Sequence, residues 1–234
     1  MKISRLVILY LMSLVCTGLQ SQNNMLHDGN APARIDMWEE PRHQLVLSKD
    51  QLKIMDVRIP PGDTSQFHQH RFATIYIVIN DALMWGQVYG KDWKSSRTKR
   101  RAKYTISDRS MSYFENHVFH RVCNPDTTTM HLIALLSTKQ PSQEVFDQEK
   151  GVNNRWFRET RLQLDPQAKS QVFEFSFPVV IVQCTSGESA VLQNKVMHST
   201  KTEGGAFSWH EANVPFTIVN KSDNTQEFVL VEIK

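Results

Sequence analysis

A shift of the 234-residue chain by 105 positions lays one strand-like segment on another without a gap. Ile59-Pro60-Pro61 falls on Leu164-Asp165-Pro166, Ser65-Gln66 on Ser170-Gln171, and Thr74–Ile79 on Val179–Cys184. A shift of 96 continues the match, with Tyr113-Phe114-Glu115 on Trp209-His210-Glu211 and Asn124 on Asn220. The difference is an insertion in the first copy, within the basic segment Gly90–Tyr104. Self-similarity at a fixed offset constrains the fold more than any local motif, because each copy must form the same unit. The matched segments are β-branched or aromatic and bounded by turn residues such as Pro60-Pro61-Gly62-Asp63 and Asn80-Asp81, so the unit is built of strands. Helical periodicity is weak; Gln140–Lys150 is the best candidate for a short connecting helix. The expected class is all-β, with two tandem sandwiches or barrels.

Histidine carries the chemistry. His68 and His70 are one residue apart, which puts both on one face of a strand. His120 lies fifty residues later, followed by Asn124. Three imidazoles converging on an inner face suit a transition metal. The second copy acts as an internal control. Its counterparts are Phe173, Phe175 and Phe216, which have no lone pair to donate. Phenylalanine makes up only 12 of 234 residues, so a chance triple is improbable. These rings are expected to fill the second lumen and stabilise it by burial, leaving at most an apolar pocket there.

These residues resemble the cupin superfamily. Its first motif matches Pro61-Gly62 followed by His68-x-His70, and its second ends in His120-xxx-Asn124. The resemblance covers about residues 45–140, with a weaker copy over about 158–234, and implies a bicupin of two jelly-roll (double-stranded β-helix) barrels. It implies one divalent transition metal on His68, His70 and His120, with Fe or Mn the usual choice in the family and Zn or Ni open. The family's glutamate ligand would fall at Thr74 or Ile75, and its closing glycine at Asp81 or Ala82, so both are replaced. Three-histidine cupins exist, thiol dioxygenases among them. The implied activity is an oxygenase or isomerase-type reaction on a small molecule bound in the N-terminal barrel. The alternative is a non-enzymatic double barrel that binds a small ligand or partner without metal.

Around the triad, Tyr76 alternates in register with the histidines and is a candidate hydroxyl donor in the lumen. His117, three residues before His120, is a candidate second-shell group, with a solvated loop histidine as the simpler reading. Arg71 and Arg121 are expected to point outward. The loop Lys91–Lys103 carries Lys91, Lys94, Arg97, Lys99, Arg100, Arg101 and Lys103 against Asp92 alone. It is a candidate surface for an anionic partner, or simply a solvated hairpin. A net charge of +3 gives no sign of nucleic-acid binding.

At the N-terminus, Lys2 and Arg5 precede the apolar run Leu6–Leu14, the layout of a secretory signal peptide. A secreted or periplasmic protein is expected. Of the cysteines beyond that segment, Cys123 and Cys184 fall in different units at positions that do not correspond, so two separate buried thiols are expected. The resulting division is 1–21 signal peptide, 22–42 linker or extended arm, 43–140 N-terminal barrel, 141–157 connecting segment, and 158–234 degenerate C-terminal barrel.

Overall fold

The computed structural model describes residues 31–98, 113–140 and 153–234. The signal segment and all but the first residue of the candidate helix Gln140–Lys150 lie outside the described residues. Among the described residues there is no α-helix, and none long and apolar enough to cross a membrane.

The first nine strands build one unit: β1 (Ile35–Asp36), β2 (His43–Lys49), β3 (Leu52–Ile59), β4 (His68–His70), β5 (Ala73–Val78), β6 (Ala82–Val88), β7 (Lys94–Thr98), β8 (Val118–Cys123) and β9 (Met130–Ser137). They form two sheets, in the orders β2-β3-β9-β5 and β1-β4-β8-β6-β7. The second unit holds β10 (Phe157–Leu164), β11 (Val179–Gln183), β12 (Gly187–Gln193), β13 (Val196–Thr202), β14 (Phe207–His210), β15 (Phe216–Asn220) and β16 (Gln226–Ile233). Its sheets run β10-β16-β11-β14 and β13-β12-β15. Each unit is a jelly-roll of two facing sheets.

Alternation along β5 sets the layering. All six of its residues are buried, which requires cover on both faces. Tyr76 and Val78 face the first lumen with Met55, Val57, Leu132 and Ala134. Ile75 and Ile77 face the other way, with Ile133 and Leu135, against Val180, Val182, Val229 and Val231 of the second barrel. The two barrels therefore share an apolar seam, in which each buried aliphatic side chain contributes roughly 1.5–3 kcal/mol. The approach is close. Gly205 has φ +102, and a Cβ there would stand 2.6 Å from Cε1 of His131.

The duplication extends to hydrogen bonds. Val122 N–H donates to Ser65 Oγ at 2.9 Å, and Ile218 N–H donates to Ser170 Oγ at 3.0 Å. Asn124 and Asn220 are both fully buried. Asn124 Nδ2 donates to the carbonyls of Ile59 (2.7 Å) and Thr128 (2.8 Å), and Asn220 Nδ2 to those of Leu164 (3.1 Å), Asp165 (2.9 Å) and Asn224 (2.8 Å). Each side-chain oxygen accepts the N–H two residues on. The asparagine is thus a clasp that closes the last turn of each barrel, and buried amides with every group paired are strongly position-specific.

The match fails in one place. Tyr113 packs in the first lumen and Phe114 in the seam, but Trp209 packs in the seam and His210 stacks on Phe216 at 4.9 Å. The expected pairing of Tyr113-Phe114-Glu115 with Trp209-His210-Glu211 is therefore off by one residue. A one-residue slip exchanges the faces of a strand, and composition does not reveal it.

Residues 31–42 pack on the first barrel. Ile35 and Asp36 pair in parallel with His68 and Gln69, and Met37 is buried. The Glu40 carboxylate, 1% exposed, accepts the backbone N–H groups of Arg42 and Gln66. Arg42 in turn bonds Asp63 twice, at 2.9 and 2.8 Å. Cys123 and Cys184 are both buried and form no disulfide.

Candidate metal centre

β4 and β8 are neighbours, and their register makes His68 and His120 direct partners. Because His70 follows His68 at the strand period, all three rings project into the first lumen. The ring centroids stand 4.9 Å (His68–His70), 4.8 Å (His68–His120) and 4.6 Å (His70–His120) apart. One nitrogen from each lies within 4.8 Å of the others. His68 and His70 are buried, and His120 is partly so.

The hydrogen bonds assign the ring nitrogens. Nδ1 of His68 lies 2.9 Å from the Gln66 carbonyl, which only accepts, so Nδ1 carries the proton and Nε2 is a bare lone pair. That Nε2 is buried and has no partner. Nδ1 of His70 lies 3.0 Å from the Tyr76 hydroxyl, and its Nε2 lies 2.8 Å from Nε2 of His120. Tyr76 can accept from Nδ1–H, which frees the second nitrogen of His70 as a ligand. Burial holds the triad neutral. It pushes His68 down to about 3, with the charge of His43 adding to the shift, and His120 down to about 3, with His68 adding. His70 falls well below its ordinary value for the same reason, with His120, His68 and His43 as lesser causes. Neutral imidazoles are the form that binds metal.

The donor set fits a divalent transition ion. Three nitrogen donors converge, and one of them is otherwise an orphaned buried atom. Two nitrogens about 2.1 Å from a shared ion and at a right angle would stand about 3.0 Å apart, so the 2.8 Å His70–His120 spacing needs only a slight widening. Thr74, where the family's glutamate would stand, is buried, and its hydroxyl donates to the Phe72 carbonyl at 3.1 Å. It supplies no carboxylate. A cavity of about 90 Å³ adjoins the triad, walled by residues including Met84, Tyr113 and Leu132.

The site includes a residue the motifs do not reveal. His43, at the start of β2, is 6% exposed and sits edge-on to His68 at 4.5 Å. Its Nδ1–H donates to the Met37 carbonyl at 2.9 Å, and a Glu40 carboxylate oxygen lies 3.8 Å away. Burial lowers it to about 4, against the Met37 hydrogen bond, with His120 and Arg42 as further causes. Most of β2 is exposed or half-exposed, so no alternation marks His43 as inward-facing. Tyr113 joins the same wall, its ring 4.7 Å from His70.

His117 stands as the simpler reading has it, a solvated loop histidine. It is exposed, in the turn ahead of β8, and His43 packs on the cluster instead. Arg71 holds Asp36 through two contacts at 2.8 and 2.6 Å. Arg121 lies between the rings of Phe67 (4.7 Å) and Trp93 (4.9 Å) and donates to Gln87. Of the basic loop, Lys91, Lys94 and Arg97 are exposed, and Arg97 stands 3.6 Å from Asp126; Lys99, Arg100, Arg101 and Lys103 lie outside the described residues.

In the second barrel, Phe173 faces Phe216 across an isolated bridge, where the first barrel pairs His68 with His120. Phe175 stacks on Phe173 at 5.7 Å, and Phe216 lies 5.9 Å from Phe173 and 6.0 Å from Phe175. The three rings pack in one apolar cluster with Leu164, Val179, Ile181, Ile218, Phe228 and Leu230. A separate cavity of about 370 Å³ in this barrel, larger than the one next to the histidines, is lined by residues including Ile181, Val191, His210 and Phe228 and by none of the three rings.

No family model matches the sequence, and no curated protein does either. Solved structures do match. AerE from Microcystis aeruginosa superposes with a TM-score of 0.61 at 14% identity, over 87% of this chain and 98% of that one. Salicylate 1,2-dioxygenase from Pseudaminobacter salicylatoxidans gives 0.54 at 11% identity, over 94% and 82%. A variant of oxalate decarboxylase from Bacillus subtilis gives 0.51 at 8% identity, over 88% and 78%. With the duplicated barrels, these likenesses give the chain a bicupin fold, two tandem cupin-type jelly-roll barrels.

Proposed function

We propose that the N-terminal barrel holds one divalent transition metal on His68, His70 and His120 and acts there on a small molecule, as an oxygenase or isomerase-type enzyme. The observation that carries this reading is the unpartnered, buried Nε2 of His68, whose lone pair is set by the Gln66 carbonyl and faces the other two imidazoles. A metal bound by three protein nitrogens supplies a Lewis acid with positions left for a substrate oxygen. The chain's own residues orient the donors: Gln66 fixes His68, Tyr76 fixes His70, and His43 walls off one side. Apolar side chains of β8 and β9 line the adjoining cavity and exclude water. The neighbours that include a dioxygenase and a decarboxylase support a reactive lumen as analogy of fold.

A second reading, a metal-free binding barrel, is favoured by one observation. His70 and His120 already satisfy each other at 2.8 Å. Counting metal in tag-free protein loaded with Fe(II), Mn(II) or Zn(II) decides between them. One ion per chain, lost on His68→Ala, is expected. A count near zero with all three metals overturns the proposal, and a count near two contradicts a metal-free second barrel.

We further propose that the protein works after export, on the strength of the Lys2/Arg5 and Leu6–Leu14 layout, and that the exposed cations of the Lys91–Lys103 loop meet an anionic partner.

A further inference from the structure

We infer that the C-terminal barrel is a second binding site, for a small neutral amphipathic molecule with an aromatic or alicyclic body and one hydroxyl group. A cavity of about 370 Å³ opens in this barrel, and none of Phe173, Phe175 and Phe216 lines it. Ile181 and Phe228 line it at the repeat positions of Tyr76 and Leu132, which line the first. The two pockets therefore share part of one wall, while the positions that carry the histidines in the first barrel are packed with rings in the second. Its size falls in the range of small-molecule sites, and its wall is mixed, with Ile181, Val191 and Phe228 among the apolar residues and Gln183, Ser189, Gln193, His198, Ser208 and His210 as the polar ones.

The polar groups define the ligand. Gln183 is held in place: its Nε2 donates to the carbonyls of Thr185 and Gly187, and its Oε1 accepts from Ser189. His210 is different. It is 6% exposed and lines the cavity, and its Nε2 lies 2.8 Å from the Ser208 hydroxyl. Its Nδ1 is buried and has no partner. Leaving a buried ring nitrogen unpaired is costly, and a ligand group would pair it. Ser208 can donate or accept, so Nδ1 is either a bare acceptor or an N–H donor. A hydroxyl complements both states. Among the described residues lining this cavity none is Asp, Glu, Lys or Arg, so an ionised ligand would lose hydration there without a carboxylate, ammonium or guanidinium to pair it. Burial, with His198 as a lesser cause, also lowers the affinity of His210 for a proton, which keeps the ring neutral.

The test uses the full chain and three probes of one shape: 2-naphthol, naphthalene and 2-naphthoate. The backbone amides of Ser208 and Trp209, in the strand that walls the cavity, are the local reporters in NMR titrations. One 2-naphthol per chain is expected, with about tenfold tighter binding than naphthalene or 2-naphthoate, the size of one neutral hydrogen bond. His210→Phe, which keeps an aromatic ring against Phe216, should erase the preference and leave naphthalene binding unchanged. Val191→Phe, which fills the cavity from β12, should abolish binding of all three. Chelator-treated protein should behave identically, so this site stands or falls separately from the metal. Tightest binding of 2-naphthoate, equal affinities, no binding, or a preference that survives His210→Phe would each overturn the inference.

Discussion

The hydroxyl of Tyr76 lies 3.0 Å from Nδ1 of His70, on the side of the ring away from His120. Both groups are buried, and β5 delivers the tyrosine just beyond Thr74 and Ile75, the two positions at which the cupin motif would have a carboxylate. The contact sets which nitrogen of His70 faces the cluster. Groups that hold the far nitrogen of a metal-bound imidazole commonly matter to metal affinity by roughly 10–100-fold. Tyr76→Phe should weaken metal binding by that order without changing the stoichiometry at saturation. Competition against a chelator reads it directly, and an unchanged affinity would show that Tyr76 does not position His70.

Acid should destabilise the metal-free protein, and the sign follows from the histidines. His43 is lowered to about 4, and His68 and His120 to about 3, from an ordinary 6.5. Between those values the unfolded chain takes up protons that the folded chain refuses. The stabilisation from keeping the rings neutral is therefore full above pH 6.5 and is lost as pH falls toward 3. Each ring contributes a slope of up to about 1.4 kcal/mol per pH unit. Urea unfolding of chelator-treated protein should show a midpoint that drops steadily below pH 6.5, and His43→Phe should make the drop shallower. A midpoint flat from pH 7 to pH 4 would contradict the burial of neutral imidazoles.

Phe216→Ala should cost about 3–5 kcal/mol, since the ring is 3% exposed and packs on Phe173, Phe175 and His210. Metal binding in the first barrel should survive. A loss below about 1 kcal/mol in denaturant unfolding would mean that Phe216 is not part of the second barrel's core.

The triad was legible in the sequence because two of its members obey the strand period and the repeat supplies their counterparts. The same holds for Asn124 and Asn220, and for Ser65 and Ser170, whose matching bonds follow from matching positions. His43 was not legible. It enters the site because residues 31–42 fold back along β4, and that docking rests on Glu40 and Arg42, single polar groups with no periodic trace. The Tyr113 register was misread because rings of similar character occur at adjacent positions, and only the strand face distinguishes them. The cavity of the second barrel was not legible, because it lies beside β12 and β14, lined by residues such as Val191 and His210 that carry no motif.

The seam between the barrels has a consequence for how the polypeptide can be divided. A fragment ending after β9 would carry Ile75, Ile77, Ile133 and Leu135 uncovered, and the remainder would carry Val180, Val182, Val229 and Val231 uncovered. Neither half is a portable module. The two are complementary fragments, and the peptide joining residue 140 to residue 153 does not have to specify their docking, because the fit of Gly205 against His131 already does.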